Sequence, residues 1–237
     1  MTIATETVTL SSGGSDMDVY IARPAELERA PALIVFQEAF GVNDHIKDVT
    51  RRFAEQGYVA AAPELFHRTA PPGFTGSYGD FASLAPHFQA ISPDGIAADA
   101  LAVHEWLIKD AQVDKSHIGS IGFCMGGRAS FIANAKLPLK GAVSFYGGGI
   151  AQNLLGLTPD LGAPMLFFWG GLDTHITLEH RNSIMDAMMK CGKPYINVEI
   201  SDADHAFFND VRPAYNANAA RQAWALTLSF MAAHLKS

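Results

Sequence analysis

The order of hydrophobic patterns along the chain predicts an α/β fold: a mostly parallel sheet with helices on both faces. Three observations carry this. Short unbroken apolar runs, such as Ala32-Leu33-Ile34-Val35-Phe36, suit strands buried on both faces. Those runs alternate with longer segments of helical period, the βαβαβ pattern that places parallel strands side by side. No internal repeat, linker or shift in composition divides the 237 residues, so one domain spanning 1–237 is expected.

The elements follow in order. Thr5 to Leu10 and Asp18 to Arg23 read as two strands joined by the turn Ser11-Ser12-Gly13-Gly14-Ser15, an antiparallel lead-in. After the run 32–36, Asn43 or Asp44 is placed to cap a helix through about Gln56, ended by Gly57. Tyr58 to Ala62 is the next buried strand, stopped by Pro63. Residues 64–94 contain Pro71, Pro72, Gly73, Gly76, Gly79, Pro86 and Pro93, and read as a long irregular segment over a site. Helical period returns from Gly95 to Lys109, then a strand at Ile118–Gly122 and a helix from about Gly127 to Ala135. Gly141–Tyr146 and Pro164–Gly170 are further strands; Leu178–Cys191 is helical, Tyr195–Ser201 a strand, and Asn216–His234 a closing amphipathic helix.

Bulk chemistry narrows the function. The composition is 49% hydrophobic and 17% charged, that of a globular protein. A net charge of −7 with no run of Lys or Arg excludes nucleic acid as a main partner. No apolar run reaches the roughly 18–20 residues that span a bilayer, and the first ten residues alternate Thr with apolar residues rather than forming a signal peptide. A cytoplasmic protein without a membrane partner, monomeric or a small homo-oligomer, is expected. Cys124 and Cys191 do not make a disulfide framework, and only Cys124 is flanked by glycines.

The chemistry centres on Gly122-Phe123-Cys124-Met125-Gly126-Gly127, between a strand and a helix. It matches the G-x-S-x-G nucleophile elbow with Cys for Ser. Such a turn aims the side chain away from the sheet, and the helix start behind it favours an anion. A bare Gly-rich turn around an inert buried thiol is the competing reading, and the rest of the chain weighs against it. Asp173 follows the strand ending at Gly170, and His205 follows the strand ending at Ser201. Nucleophile, acid, histidine is the chain order of α/β-hydrolases, and all three fall after strand ends, where open parallel sheets bind ligands. His45, His67, His175 and His180 compete with His205, and Asp202 and Asp204 with Asp173; those two acids lie too close to His205 in sequence. Glu38 follows a buried strand and would face the elbow, and the Ala39 N–H would join that of Met125 as an oxyanion donor. Phe40, Tyr78, Phe81, Tyr146 and Trp169 are candidates for the pocket wall.

Together with Gln37–Asn43, Pro63–Arg68, the Gly-Gly-x-Asp at 170–173 and Asp204-His205-Ala206-Phe207, the elbow resembles the dienelactone hydrolase, or carboxymethylenebutenolidase, family over nearly the whole chain. The resemblance implies a Cys-His-Asp hydrolase of the α/β-hydrolase fold acting on a lactone or ester, with no metal or organic cofactor. It also implies that Glu38 contacts the nucleophile and helps convert thiol to thiolate. Arginines would hold a substrate carboxylate, yet Asn209 stands where one is expected and Thr69–Pro93 contains no Arg or Lys. Asn209 is therefore a substrate-binding candidate, and a less charged ester or lactone is as compatible as a dienelactone. In the expected reaction His205 or Glu38 takes the thiol proton, a thioester forms on Cys124, and water activated by His205 releases the acid. Asp173 orients His205. The alternative is a non-catalytic relative that binds a small molecule. A thiol redox enzyme lacks an evident resolving cysteine.

Overall fold

A computed structural model describes residues 2–236; Met1 and Ser237, the ends of the expected domain, lie outside the described residues. Eight strands form one sheet in the order β1-β2-β4-β3-β5-β6-β7-β8. β1 (Ile3–Ser12) and β2 (Ser15–Pro24) pair antiparallel, and β2 joins β4 antiparallel. From β4 onward all neighbours are parallel. The hairpin is longer and tighter than its sequence suggests. Its turn is only Gly13-Gly14, both at positive φ, the backbone that two-residue hairpins require.

The central strands β3 (Ala30–Phe36), β4 (Val59–Pro63), β6 (Ala142–Phe145) and β7 (Met165–Gly170) are almost wholly buried, as is β5 (Val113–Phe123) from Ile118 onward, in keeping with their apolar runs. β8 (Tyr195–Ile200) alternates in exposure at the edge. Helices cover the sheet in two groups. α3 (Pro93–Leu107) packs on α4 (Met125–Lys136), and both pack on the central strands. α1 (Asp44–Glu55) meets α7 (Ala217–Leu235) through Phe53 and Trp224, whose ring centroids are 4.7 Å apart. Asn43 is the α1 cap, its side chain accepting from the Ile46 N–H. α6 (Leu178–Lys190) starts in a capping box built on Thr177 and His180.

Two stretches depart from the expected pattern. Residues 64–94 are not irregular throughout. α2 (Phe81–Ala90) lies inside them, capped by Asp80 and carrying Pro86 within it. Leu84 is the sole buried residue of α2 and sits where a side chain at Gly76 would otherwise be. After β6 the chain forms a short α5 (Ile150–Asn153) and a 3₁₀ turn (Leu155–Asp160) that the sequence patterns did not indicate.

Candidate active site

Four residues follow the C-terminal ends of parallel strands of the one sheet: Glu38 after β3, Cys124 after β5, Asp173 after β7 and His205 after β8. This is the edge where parallel sheets collect ligands. Cys124 is the residue before α4, with φ 54° and ψ −113°, outside the regions L-residues favour. Its N–H donates to the Phe145 carbonyl, and its carbonyl accepts from Gly127. The elbow closes only on glycines. A Cβ at Gly122 would run into the Gly126 backbone, and one at Gly126 into the Phe36 and Gln37 carbonyls. The remaining positive-φ residues other than glycine among those described, Tyr146 and Ala206, flank the same site. Strain held at three such positions, about 1–3 kcal/mol each, marks a constellation that surrounding packing enforces.

His205 Nδ1 donates to Asp173 Oδ2 at 2.7 Å. Asp173 Oδ1 accepts from the N–H groups of His175 and Ile176 at 2.8 and 3.1 Å. Burial pushes the Asp173 carboxyl up, but the His205 hydrogen bond and charge and those two N–H groups outweigh it and hold the pKa below the usual value. Burial also works against a charged His205. Hydrogen bonding to Asp173 and Cys124, and the charge of both, overcome it and raise the His205 pKa to about 10.

Glu38 is buried at the base of the site. Its Oε2 accepts from Asn209 Nδ2 at 2.6 Å and its Oε1 from the Tyr146 hydroxyl at 3.4 Å. Asn209 also donates to Tyr78 Oη at 3.1 Å, which accepts from Asn43 at 2.8 Å. Burial, then the Glu38 and Cys124 charges, push the Tyr146 pKa well above the ordinary tyrosine value, so its hydroxyl remains a donor. Neither the Ala39 nor the Met125 N–H donates in the turn, loop and cap hydrogen bonds among the described residues. For Met125 that follows from its place at the first position of α4, where no intrahelical acceptor exists.

A cavity of about 460 Å³ opens over this floor. Glu38, Ala39, Phe40, Cys124 and His205 line it, and α2 contributes Phe81 and Phe88 from above. Phe40 and Phe81 are thus where the sequence put them. Tyr78 is one layer away, its ring 4.5 Å from that of Phe40. Tyr146 is fully buried, with its ring 5.1 Å from that of His205. Asn209 is fully buried against Glu38, so it supports the carboxylate instead of lining the cavity. Trp169 does not reach the site. It stacks on Phe167 two residues away on the same sheet face, and its indole N–H donates to Asn197 on β8.

The sequence missed five lining residues: Phe88, Gly148, His175, Ile176 and Arg212. His175 lines the cavity with its ring 5.4 Å from that of His205. Ile176 follows it, and Arg212 holds its guanidinium 5.3 Å over the Phe40 ring and 5.5 Å over Tyr78. The other histidines go elsewhere. His67 pairs with Asp99, His180 caps α6, and His45 is buried 3.5 Å from Asp210 with its pKa lowered by burial. Asp204 accepts the His205 backbone N–H, and Asp202 pairs with Asn216.

A cysteine elbow, a histidine–aspartate pair and a cavity at this sheet edge define an α/β-hydrolase of the kind that acts on acyl groups. The chain belongs to the dienelactone hydrolase family, whose model matches residues 17–235. It is 36% identical over 233 residues to a Salmonella typhimurium protein, and 35% identical over 233 residues to one from Synechocystis. Both carry the name "putative carboxymethylenebutenolidase". The matches cover 94% of this chain in each case, and 85% and 94% of the relatives. A crystal structure described as a "putative dienelactone hydrolase" from Klebsiella pneumoniae superposes with a TM-score of 0.90 at 31% identity, covering 98% of this chain and 99% of that one. The family is one of lactone and ester hydrolases, and no helix among the described residues is long and apolar enough to cross a membrane.

Proposed function

We propose that the chain hydrolyses lactones and carboxylic esters through a thioester on Cys124, with His205 as acid and base and Asp173 orienting it. The observation that carries this reading is the strained Cys124 at the start of α4, beside a His205 already bonded to Asp173, on the floor of one cavity. Burial opposes the His205 cation, but Asp173 and Cys124 together favour it and overcome that opposition. His205, rather than Glu38, takes the thiol proton as Cys124 attacks. Both Glu38 oxygens are already engaged by Asn209 and Tyr146.

The thiolate attacks the carbonyl carbon, and the oxyanion meets the Met125 and Ala39 N–H groups, each worth roughly 2.7–4 kcal/mol in the transition state. The His205 cation gives its proton to the departing oxygen, leaving the acyl group on sulfur. Acylation removes the thiolate charge, so one cause of the raised His205 pKa disappears and the ring becomes a usable base for water. Attack by that water releases the acid and restores Cys124 and His205. Glu38 forms part of the floor beneath the site, held in place by Asn209 and Tyr146. Arg212, the arginine lining the cavity, replaces the cation absent at position 209 and receives a substrate carboxylate at the mouth. No metal or organic cofactor takes part. Two unpaired cysteines suit a reducing compartment, and we place the enzyme in the cytoplasm.

A panel of aryl esters and lactones, with and without a carboxylate, tests the reading. Turnover is expected in the wild type and a loss of at least about 10³-fold in Cys124→Ala. Equal turnover by Cys124→Ala would remove the assignment.

A further inference from the structure

Two of the nine histidines line the cavity that holds Cys124: His205 and His175. The chemistry above uses only the first, yet His175 is fixed to the same aspartate. Its backbone N–H donates to Asp173 Oδ1 at 2.8 Å, and the other oxygen of that carboxylate holds His205 at 2.7 Å. One acid therefore places both residues. Their rings stand edge to face, with centroids 5.4 Å apart and planes at 77°.

The other polar side chains of the lining, apart from the nucleophile, are engaged. Glu38 accepts from Asn209 and Tyr146, His205 bonds to Asp173, and Arg212 lies over the Phe40 and Tyr78 rings. Among the described residues the His175 ring nitrogens make no hydrogen bond or ion pair, and the side chain is exposed. In its neutral form that ring brings one donor and one acceptor to a lining that also holds the apolar Phe81, Phe88 and Ile176. Two hydrogen bonds of about 2.9 Å, end to end, span the distance between the two rings, so a single oxygen can lie against both. The reaction supplies that oxygen. In acylation it is the departing one, which His205 must reach to protonate. In deacylation it is the water, which enters the same place by the reverse of that step.

We propose that His175 is a further catalytic residue: the second hydrogen-bond partner, beside His205, of the oxygen that leaves in acylation and of the water that attacks in deacylation. The inference rests on the hydrolase reading above and adds a residue to it. As the bond between carbonyl carbon and departing oxygen breaks, its electron pair stays on that oxygen. The His175 N–H holds the oxygen while the proton arrives from His205, and the alcohol departs. In the second half the water gives a proton to His205 and its oxygen bonds to the acyl carbon. The carbon–sulfur bond then breaks, the acid is freed and sulfur regains the proton. The help of His175 grows with the basicity of the departing oxygen. A 4-nitrophenolate needs little of it. A phenolate, whose conjugate acid has a pKa of about 10, needs more, and an alkoxide, close in basicity to the hydroxide of water at about 15.7, needs most.

The test measures kcat/KM for benzyl, phenyl and 4-nitrophenyl butanoate in the wild type and in His175→Phe, which keeps a ring and removes both nitrogens. Benzyl butanoate should lose about tenfold or more, the worth of one hydrogen bond to a developing charge, and 4-nitrophenyl butanoate less than about threefold. Phenyl butanoate should fall between them, and it carries the comparison with the 4-nitrophenyl ester alone if benzyl turnover is too slow to read. Equal losses on all the esters, no loss on any, or the larger loss on the 4-nitrophenyl ester overturns the proposal. Should circular dichroism show that His175→Phe does not fold, His175→Ala is read in the same way. Cys124-dependent hydrolysis without this dependence on the leaving group removes only the inference, whereas hydrolysis independent of Cys124 removes the reading beneath it.

Discussion

Two histidine–aspartate pairs occupy this molecule, and their surroundings give them opposite uses. His205 meets Asp173 at 2.7 Å, and His67 meets Asp99 at 3.1 Å. Asp99 is fully buried and also accepts from Ser12 at 2.6 Å and from both terminal nitrogens of Arg68 at 3.0 and 2.7 Å. The second His67 nitrogen lies 3.0 Å from the Asp16 carbonyl. Both Asp99 oxygens, both His67 ring nitrogens and the Ser12 hydroxyl are committed within that cluster, and the result ties the β1–β2 hairpin, the chain after β4 and α3 together. Asp173 instead commits one oxygen to two backbone N–H groups and the other to His205, leaving the second ring nitrogen to Cys124 and an open cavity. A histidine–aspartate pair becomes a reactive site when one nitrogen is left without a structural partner. Otherwise it is a clamp.

Breaking each pair separates the two uses. Asp173→Asn should lower kcat/KM by about 10²–10⁴-fold with the fold retained, because the His205 tautomer and cation lose their support; steady-state kinetics with circular dichroism check this. Asp99→Asn should do the reverse. Removing one partner of a buried ion pair costs about 3 kcal/mol here, the low end of the usual range because the Arg68 side chain is 32% exposed. For a chain of this size that is a fall in Tm of about 6–12 °C, read by thermal unfolding, with kcat little changed below the transition.

The smallest effect concerns pH. The folded His205 pKa, about 10, lies above its usual 6.5, so its stabilisation is fully present below about pH 6.5 and is lost as pH rises through about 10. Burial opposes ionisation of Asp173 and Asp99, but their hydrogen-bonding partners hold both pKa values below the ordinary 3.8. Their stabilisation is present above about pH 3.8 and is lost as pH falls below it. Thermal unfolding across pH should show a plateau with two limbs, each worth a few degrees. His205→Ala should flatten the alkaline limb and Asp99→Asn the acid limb. An alkaline limb unaffected by His205→Ala would separate His205 from the raised pKa.

The contrast also explains what could be read from the sequence. Cys124, Asp173, His205 and Glu38 were legible because each follows a strand end, and strand ends are fixed by apolar runs and glycine turns. That His67 and Asp99 pair was not legible, since Asp99 lies within α3, where no strand end marks its place. The cavity wall was legible only in part. Phe40 lies in the loop directly after β3, whereas Arg212, His175 and Phe88 reach the cavity through tertiary packing. Trp169 was misread because it belongs to a strand, where its side chain lies on the sheet face beside Phe167 and cannot turn to the strand end. α2 was hidden by its flanking prolines and glycines and by Pro86, which is compatible with a helix held by little more than Leu84.

The central claim is a covalent acyl group on Cys124. Wild-type enzyme mixed with an activated aryl ester, quenched in acid within the turnover time and analysed by intact and peptide mass spectrometry, tests it directly. The account predicts an increase equal to the acyl group, confined to the peptide holding Cys124 and removed by neutral hydroxylamine. An acyl group on another residue, or continued turnover in Cys124→Ala with no adduct in the wild type, would contradict it.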